Sequence, residues 1–187
     1  MLGTATTGHA TTGPSGFVMD DSVPTAHQIT VEHSFETAHR LPHLGGKCTS
    51  LHGHSWRVAV SVIAPSLSDQ ATVVEFGALK AGIRHWIDAH LDHGTMLGVH
   101  DPLVKPLAAQ GCKVFRFGTS HTGRAGDAEA LAADLMWPTV EAVAVLVRRM
   151  SQGVLAALPC AAGARVGEVF VRETHVNSAT YGPVDAS

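Results

Sequence analysis

The sequence predicts an α+β fold with its elements in the order β-β-α-α-β-β. Three observations carry this. Residues 28–41 and 54–64 combine β-branched residues with in–out alternation. From Phe76, and again from Pro138, apolar residues recur at helical spacing. Alternation returns at 165–175, and "SATYG" (178–182) supplies a last short strand.

Each element has local reasons. Residues 1–26 are rich in Gly, Thr, Ser and Pro and read as a mobile tail, leaving 27–187 as a single domain. "QITVEHSFETAHRL" (28–41) is the first strand. "HSWRVAVSVIA" (54–64) is the second, with His54, Trp56, Val58 and Val60 on one face and Arg57 and Ala59 on the other. Gly45-Gly46 turns the connection between them, so the two strands are expected to pair antiparallel. The first helix sets Phe76, Leu79, Ile83, Trp86 or Ile87, and Leu91 on one side and stops near Asp92-His93-Gly94. Residues 94–137 form a long connection. It holds one short strand at 113–118 and a Gly/Ala/Asp-rich part, 118–130, that is expected to be mobile. The second helix, 138–158, opens with Pro138 and has Glu141 in its first turn.

Bulk properties bound the function. With 45% apolar and 16% charged residues the chain has the composition of a folded protein. A net charge of −3 supplies no general attraction for nucleic acid, so none is expected as a main partner. Any anionic substrate must find its cations locally. Three cysteines, Cys48, Cys112 and Cys160, do not make a disulfide framework. No run approaches the ~18 apolar residues of a membrane span, and the start lacks the pattern of a signal peptide. A cytoplasmic protein without a membrane partner is expected.

The chain has thirteen histidines, and their clusters at 33–54 and 85–100, nine in all, raise the question of a metal. His52 and His54 flank a glycine, and on an extended strand both rings point to the same side. Catalytic zinc commonly takes three protein ligands and keeps one position open. His39, at the end of the preceding strand, is the best third ligand, with His43 and His33 as rivals. Cys48, four residues before His52, is a fourth ligand, a small core residue or a reactive thiolate activated by Lys47 and the metal. Asp92 beside His93 either orients a ring for proton transfer or ends a helix as solvated polar residues. Glu173, on an apolar strand, is either exposed at its end or buried with a partner.

Together these pieces resemble a known family. "FETAHRL", "CTSLHGH", "VVEFGALK", "LDHGTML", "PTVEAVAVLV" and "VRETHVNSATY" occur in the order found in the 6-pyruvoyltetrahydropterin synthase superfamily. The C-x-x-x-H-G-H spacing of Cys48, His52 and His54 is similar to that of its 6-carboxy-5,6,7,8-tetrahydropterin synthase branch. The resemblance spans 28–182 except for an insertion at about 98–137. It implies the T-fold (tunnelling fold): a four-stranded antiparallel sheet with two helices on one face, assembled into a barrel. The homo-oligomer would be a hexamer or tetramer, with active sites at subunit interfaces.

The resemblance also implies roles. His39, His52 and His54 match the zinc ligands, Cys48 the catalytic proton acceptor, and Asp92 with His93 the proton-relay pair. Glu173 matches the carboxylate that grips the pterin, and Thr139 a segment beside the pterin pocket. Arg40 and Lys47 flank the site and are the expected partners of a triphosphate. The implied enzyme is a zinc-dependent lyase that converts 7,8-dihydroneopterin triphosphate to 6-carboxy-5,6,7,8-tetrahydropterin, acetaldehyde and triphosphate. That branch feeds 7-deazaguanine synthesis, including queuosine. The 6-pyruvoyl activity and a non-catalytic zinc- or pterin-binding protein are the rival readings. Glu75 replaces the family's usual aspartate in "VVEFG", so its role is open at this stage.

Overall fold

A hairpin of two long strands is the frame on which everything else is hung. The computed structural model of the chain describes residues 25–118 and 128–183. Residues 1–24, and most of the 118–130 stretch expected to be mobile, lie outside those limits. Strand β1 (His27–His39) pairs antiparallel with β2 (His52–Ala64), from His27 opposite Ala64 to His39 opposite His52. Val31, Phe35, Trp56, Val58, Val60 and Val62 all turn to one face and are buried. Glu32, Glu36, Ser55 and Arg57 turn to the other and are exposed. The β2 strand begins two residues earlier than expected, so His52 is itself part of the ladder.

The remaining expected strands, β5 (Arg165–Arg172) and β6 (Ser178–Tyr181), add antiparallel beyond β2. The four-stranded antiparallel sheet expected from the sequence is therefore present as β1-β2-β5-β6. It is extended on the β1 side by two strands that run parallel, giving the order β4-β3-β1-β2-β5-β6. Of these, β4 (Val114–Phe117) matches the expected short strand, whereas β3 (Gly94–Gly98) does not appear in the sequence pattern. The reason is burial. Thr95, Met96, Leu97 and Gly98 are all buried, so β3 shows no alternation to read. A short helix, α2 (Val104–Ala109), joins β3 to β4.

Helices α1 (Phe76–His90) and α3 (Val140–Ala156) pack against the apolar face of the sheet. Leu79, Ile83 and Ile87 from α1 and Val143, Leu146, Val147 and Met150 from α3 join one core with Trp56, Val58, Val169 and Val171. The α1 N-terminus answers the question of Glu75. Its carboxylate accepts from the N–H groups of Gly77 at 2.8 Å and Ala78 at 2.5 Å, so it is the helix cap. Those bonds hold the Glu75 carboxyl below its usual range. A Cβ at position 77 would stand 3.0 Å from that carboxylate, so glycine makes room for a longer cap than aspartate. The second helix starts at Val140, later than the expected Pro138, because the Thr139 hydroxyl caps it by accepting from Ala142 N–H at 3.3 Å.

The two helices approach closely at Gly82, where a Cβ would lie 2.5 Å from a γ-methyl of Val154. In a free helix, Gly→Ala gains about 1 kcal/mol. Here overpacking costs ~1–3 kcal/mol and outweighs it. Gly82→Ala is therefore expected to lower the melting temperature, and a rise in a thermal scan would contradict the close packing.

Candidate metal centre and adjoining cavity

The register that buries Trp56 also builds a cluster of imidazoles. His39 lies on the buried face of β1, directly opposite His52, and His54 lies one step inward along β2. One nitrogen from each of the three rings falls within 4.8 Å of the others. Ring centroids are 4.7 Å apart for His39–His52, 5.2 Å for His39–His54 and 4.8 Å for His52–His54. The rivals are occupied elsewhere. His43 stacks on Trp137 at 4.5 Å, and His33 Nε2 faces Asp88 at 3.4 Å.

Backbone carbonyls orient two of the rings. His39 Nδ1 lies 2.9 Å from the Pro138 carbonyl and His52 Nδ1 lies 2.8 Å from that of Ser50. A carbonyl only accepts, so both Nδ1 atoms carry the proton and both Nε2 atoms present a lone pair. This is the arrangement metal-binding histidines use. His39 Nε2 is buried with no hydrogen-bond partner. It faces instead the Glu173 carboxylate, with Oε1 at 3.2 Å. Two acceptors pointed at each other repel unless a cation or a proton lies between them. The proton is disfavoured. Burial pushes the His39 imidazolium down from 6.5 to about 4, against the pull of the Pro138 hydrogen bond, with His52 and His54 adding like charge. Burial also lowers His54, partly offset by the Glu173 carboxylate. The Nε2 lone pairs of His39 and His52, a His54 nitrogen beside them and a carboxylate alongside suit a divalent cation, and the nitrogen set suits zinc.

Beside this cluster is a cavity of about 610 Å³. Cys48, Thr139 and Glu173 line it together, with Leu41 and Val176 among the apolar residues of the wall. Cys48 sits half-buried on a short 3-10 turn, Gly46–Thr49, and its carbonyl accepts from Leu41 N–H at 2.7 Å. Its sulfur is not part of the His39, His52 and His54 group. Glu173 follows β5 directly and is largely buried, with its side chain 14% exposed.

Two groups of nominated residues lie elsewhere. Asp92 and His93 occupy the corner between α1 and β3. Their rings and carboxylate bond each other, with His93 Nδ1 to Asp92 Oδ2 at 2.7 Å. The corner is pinned to the β1 edge. Glu36 N–H donates to Asp92 Oδ1 at 2.8 Å and Glu36 C=O accepts from His93 N–H at 2.6 Å. Burial raises the Asp92 carboxyl, but the Glu36 N–H, the His93 ring and the Lys113 ammonium outweigh it and hold it low. The His93 side chain is 79% exposed and does not line the cavity that Cys48 faces. Of the two cations, Arg40 is mostly buried with its Nε 3.3 Å from the buried carboxylate of Asp101, and it does not line the cavity either. Lys47 is exposed on the turn that carries Cys48.

Sequence reasoning passed over the residues that hold these groups. Pro138 was read as a helix start, yet its carbonyl orients His39. Nothing in a sequence marks a backbone carbonyl as a ligand holder.

A family model described as 6-pyruvoyl tetrahydropterin synthase matches residues 28–183. The chain belongs to this family. Among its relatives, the 6-carboxy-5,6,7,8-tetrahydropterin synthase of Synechocystis sp. is 42% identical over 88 residues, which cover 43% of this chain and 68% of the relative. The probable 6-carboxy-5,6,7,8-tetrahydropterin synthase of Halobacterium salinarum is 32% identical over 111 residues, covering 59% of this chain and 60% of the relative. That of Rickettsia bellii is 30% identical over 90 residues, covering 48% and 58%. The chain thus matches about three fifths of the length of these last two relatives. Solved structures agree in fold. An uncharacterized protein from Wolinella succinogenes superposes with a TM-score of 0.59 at 21% identity, covering 84% of this chain and 98% of that one. The 6-pyruvoyl tetrahydropterin synthase of Caenorhabditis elegans gives 0.54 at 19% identity, covering 86% and 97%. The family's T-fold is therefore the fold of this chain, here with a sheet of six strands. No helix among the described residues is long and apolar enough to cross a membrane.

The buried His39 makes the metal-free protein sensitive to acid. An unfolded chain takes up a proton on His39 near 6.5, while the folded site refuses it until about 4. Falling pH through that window favours the unfolded chain, by up to ~3 kcal/mol. Denaturant midpoints of the metal-free protein should decline from pH 6.5 to 4, and His39→Gln should flatten the decline.

Proposed function

We propose that this protein is a zinc-dependent lyase. It would convert 7,8-dihydroneopterin triphosphate and water to 6-carboxy-5,6,7,8-tetrahydropterin, acetaldehyde and triphosphate. One observation carries the reading. The Nε2 lone pairs of His39 and His52, with a His54 nitrogen beside them, converge next to a cavity shared by a cysteine, a threonine and a carboxylate. The relatives named for the 6-carboxy reaction support the choice of product.

His39, His52 and His54 would hold the zinc. When bound, the ion supplies Lewis acidity that makes the side-chain hydroxyls of the substrate easier to deprotonate. Glu173 would accept hydrogen bonds from the paired N–H donors of the pterin ring. In doing so its carboxylate turns from His39 towards the cavity, which it already lines. Cys48, as thiolate, would take a proton from the substrate side chain at Sγ, and His93 would pass one at its free Nε2 while Asp92 holds Nδ1–H. Thr139, which lines the cavity, would stand beside the pterin. Lys47 is the better candidate for the triphosphate, because the Arg40 guanidinium already faces Asp101.

Among the described residues of one chain, His93 is not part of the cavity that Cys48 lines. We infer that the working site takes its Cys48 from one subunit and its Asp92–His93 pair from a neighbour. A homo-oligomer, hexamer or tetramer, would bring the two together. A binding-only protein has no use for a proton-transfer pair held on the exposed side of a corner, so catalysis is the preferred reading. A cytoplasmic setting and a place in 7-deazaguanine synthesis follow from the same proposal.

The first measurement is product analysis by mass spectrometry after incubating zinc-loaded protein with 7,8-dihydroneopterin triphosphate. 6-Carboxytetrahydropterin with acetaldehyde is expected, and a 6-pyruvoyl product would reassign the chain to the sister activity. Cys48→Ala should retain zinc and lose roughly 100-fold or more in kcat. Mixing Cys48→Ala with His93→Ala subunits tests the shared site. Random reassembly should restore about a quarter of the sites if the two residues come from different subunits, and none if they come from the same one.

A further inference from the structure

The inserted segment reaches the proton-relay corner through one side chain. Lys113 stands just before β4, and its ammonium donates to the carbonyl of Asp88 at 2.6 Å and to that of Asp92 at 2.7 Å. The first carbonyl lies in the last turn of α1, where acceptors lack partners within the helix and negative partial charge accumulates, and the second lies just past the helix end. A lysine at that position satisfies both needs at once. Its own carbonyl accepts from Thr95 N–H at 2.9 Å, which fixes the Lys113 backbone beside the start of β3.

The corner is shaped to receive this side chain. A Cβ at Gly94 would stand 3.0 Å from Lys113 Cδ and 3.2 Å from Cγ, so the lysine stem runs through space that only glycine leaves. The residue before it, His93, has a φ of 53°, in the left-handed region that a side chain rarely adopts. Such a conformation persists only where the surroundings enforce it. Here Glu36 grips the corner from the β1 side and Lys113 grips it from the β4 side.

We propose that Lys113 is a positioning residue for the Asp92–His93 pair, and that the insertion serves the reaction by carrying it. Lys113 touches neither the His93 ring nor the cavity. It acts by fixing the carbonyl of Asp92, and with it the direction in which the His93 ring leaves the corner. The inference rests on the proton-relay reading above.

The test uses the full-length, zinc-loaded protein. Lys113→Met keeps most of the stem and removes the donors. Its kcat on 7,8-dihydroneopterin triphosphate should fall at least tenfold, with KM within about twofold and zinc content unchanged, as for a lost proton-transfer geometry. Lys113→Arg, which can still donate to both carbonyls, should recover most of the rate. A Met variant with the original kcat would overturn the proposal. So would a loss of rate that merely tracks melting temperature and that arginine does not restore. If the unaltered protein fails to turn over this substrate, the functional reading is what has failed. The positioning claim is then decided by amide hydrogen exchange. The N–H groups of His93 and Gly94, bonded to Glu36 and Leu91 carbonyls, should exchange at least tenfold faster in Lys113→Met than in the unaltered protein. Unchanged exchange at those two amides would reject it.

Discussion

The pairing register of β1 with β2 is the constraint from which the rest follows. Side chains alternate across a sheet with a period of two, so a slip of one residue would send a whole strand face to the wrong side. In the observed register, Phe35 meets Trp56 in the core and His39 meets His52 at the end of the same face. The hydrophobic effect on Trp56, Val58 and Val60 thereby decides where the imidazoles go. Folding the core therefore also brings the three imidazoles together. The cost is a patch of buried nitrogen at the end of an apolar surface. The Pro138 and Ser50 carbonyls meet part of that cost, and a cation would meet the remainder.

That economy explains why so much was legible in the sequence. Alternation and helical spacing locate β1, β2, β5, α1 and α3, because each has one buried side and one wet side. His52 and His54 are readable for the same reason, since strand geometry puts their rings on one side; the choice of His39 over His33 and His43 was settled by the family resemblance. What was hidden has a common character. The β3 strand is covered on both sides and so carries no periodicity. The Pro138 carbonyl, which orients His39, is a backbone atom with no signature. The Arg40–Asp101 pair joins residues whose separation in the chain says nothing about their contact, and it turns an expected triphosphate ligand into a partly buried ion pair. The resemblance to a family supplied the roles of Cys48 and Glu173, which the residues alone left open.

Electrostatics divides the molecule into two regions of different purpose. On the cavity side, burial keeps imidazoles neutral and brings a carboxylate against them, which prepares a place for positive charge. At the α1–β3 corner, N–H donors and an ammonium hold a carboxylate ionised against its partial burial. The first arrangement suits a cation and the second sustains an Asp–His pair. Neither depends on the overall charge of −3, which is why bulk composition excluded partners without indicating the chemistry.

The glycine at 94 and the lysine at 113 occupy one volume between them. A larger residue at the first position displaces the second, and a shorter one at the second leaves the first with an empty groove. Nineteen residues apart in the chain, they are coupled through that shared space, so substitutions at the two positions would not add independently. The Leu91 carbonyl, 3.0 Å from the place of a Cβ at Gly94, presses on the same position from the chain's own backbone, so the glycine answers to two neighbours at once.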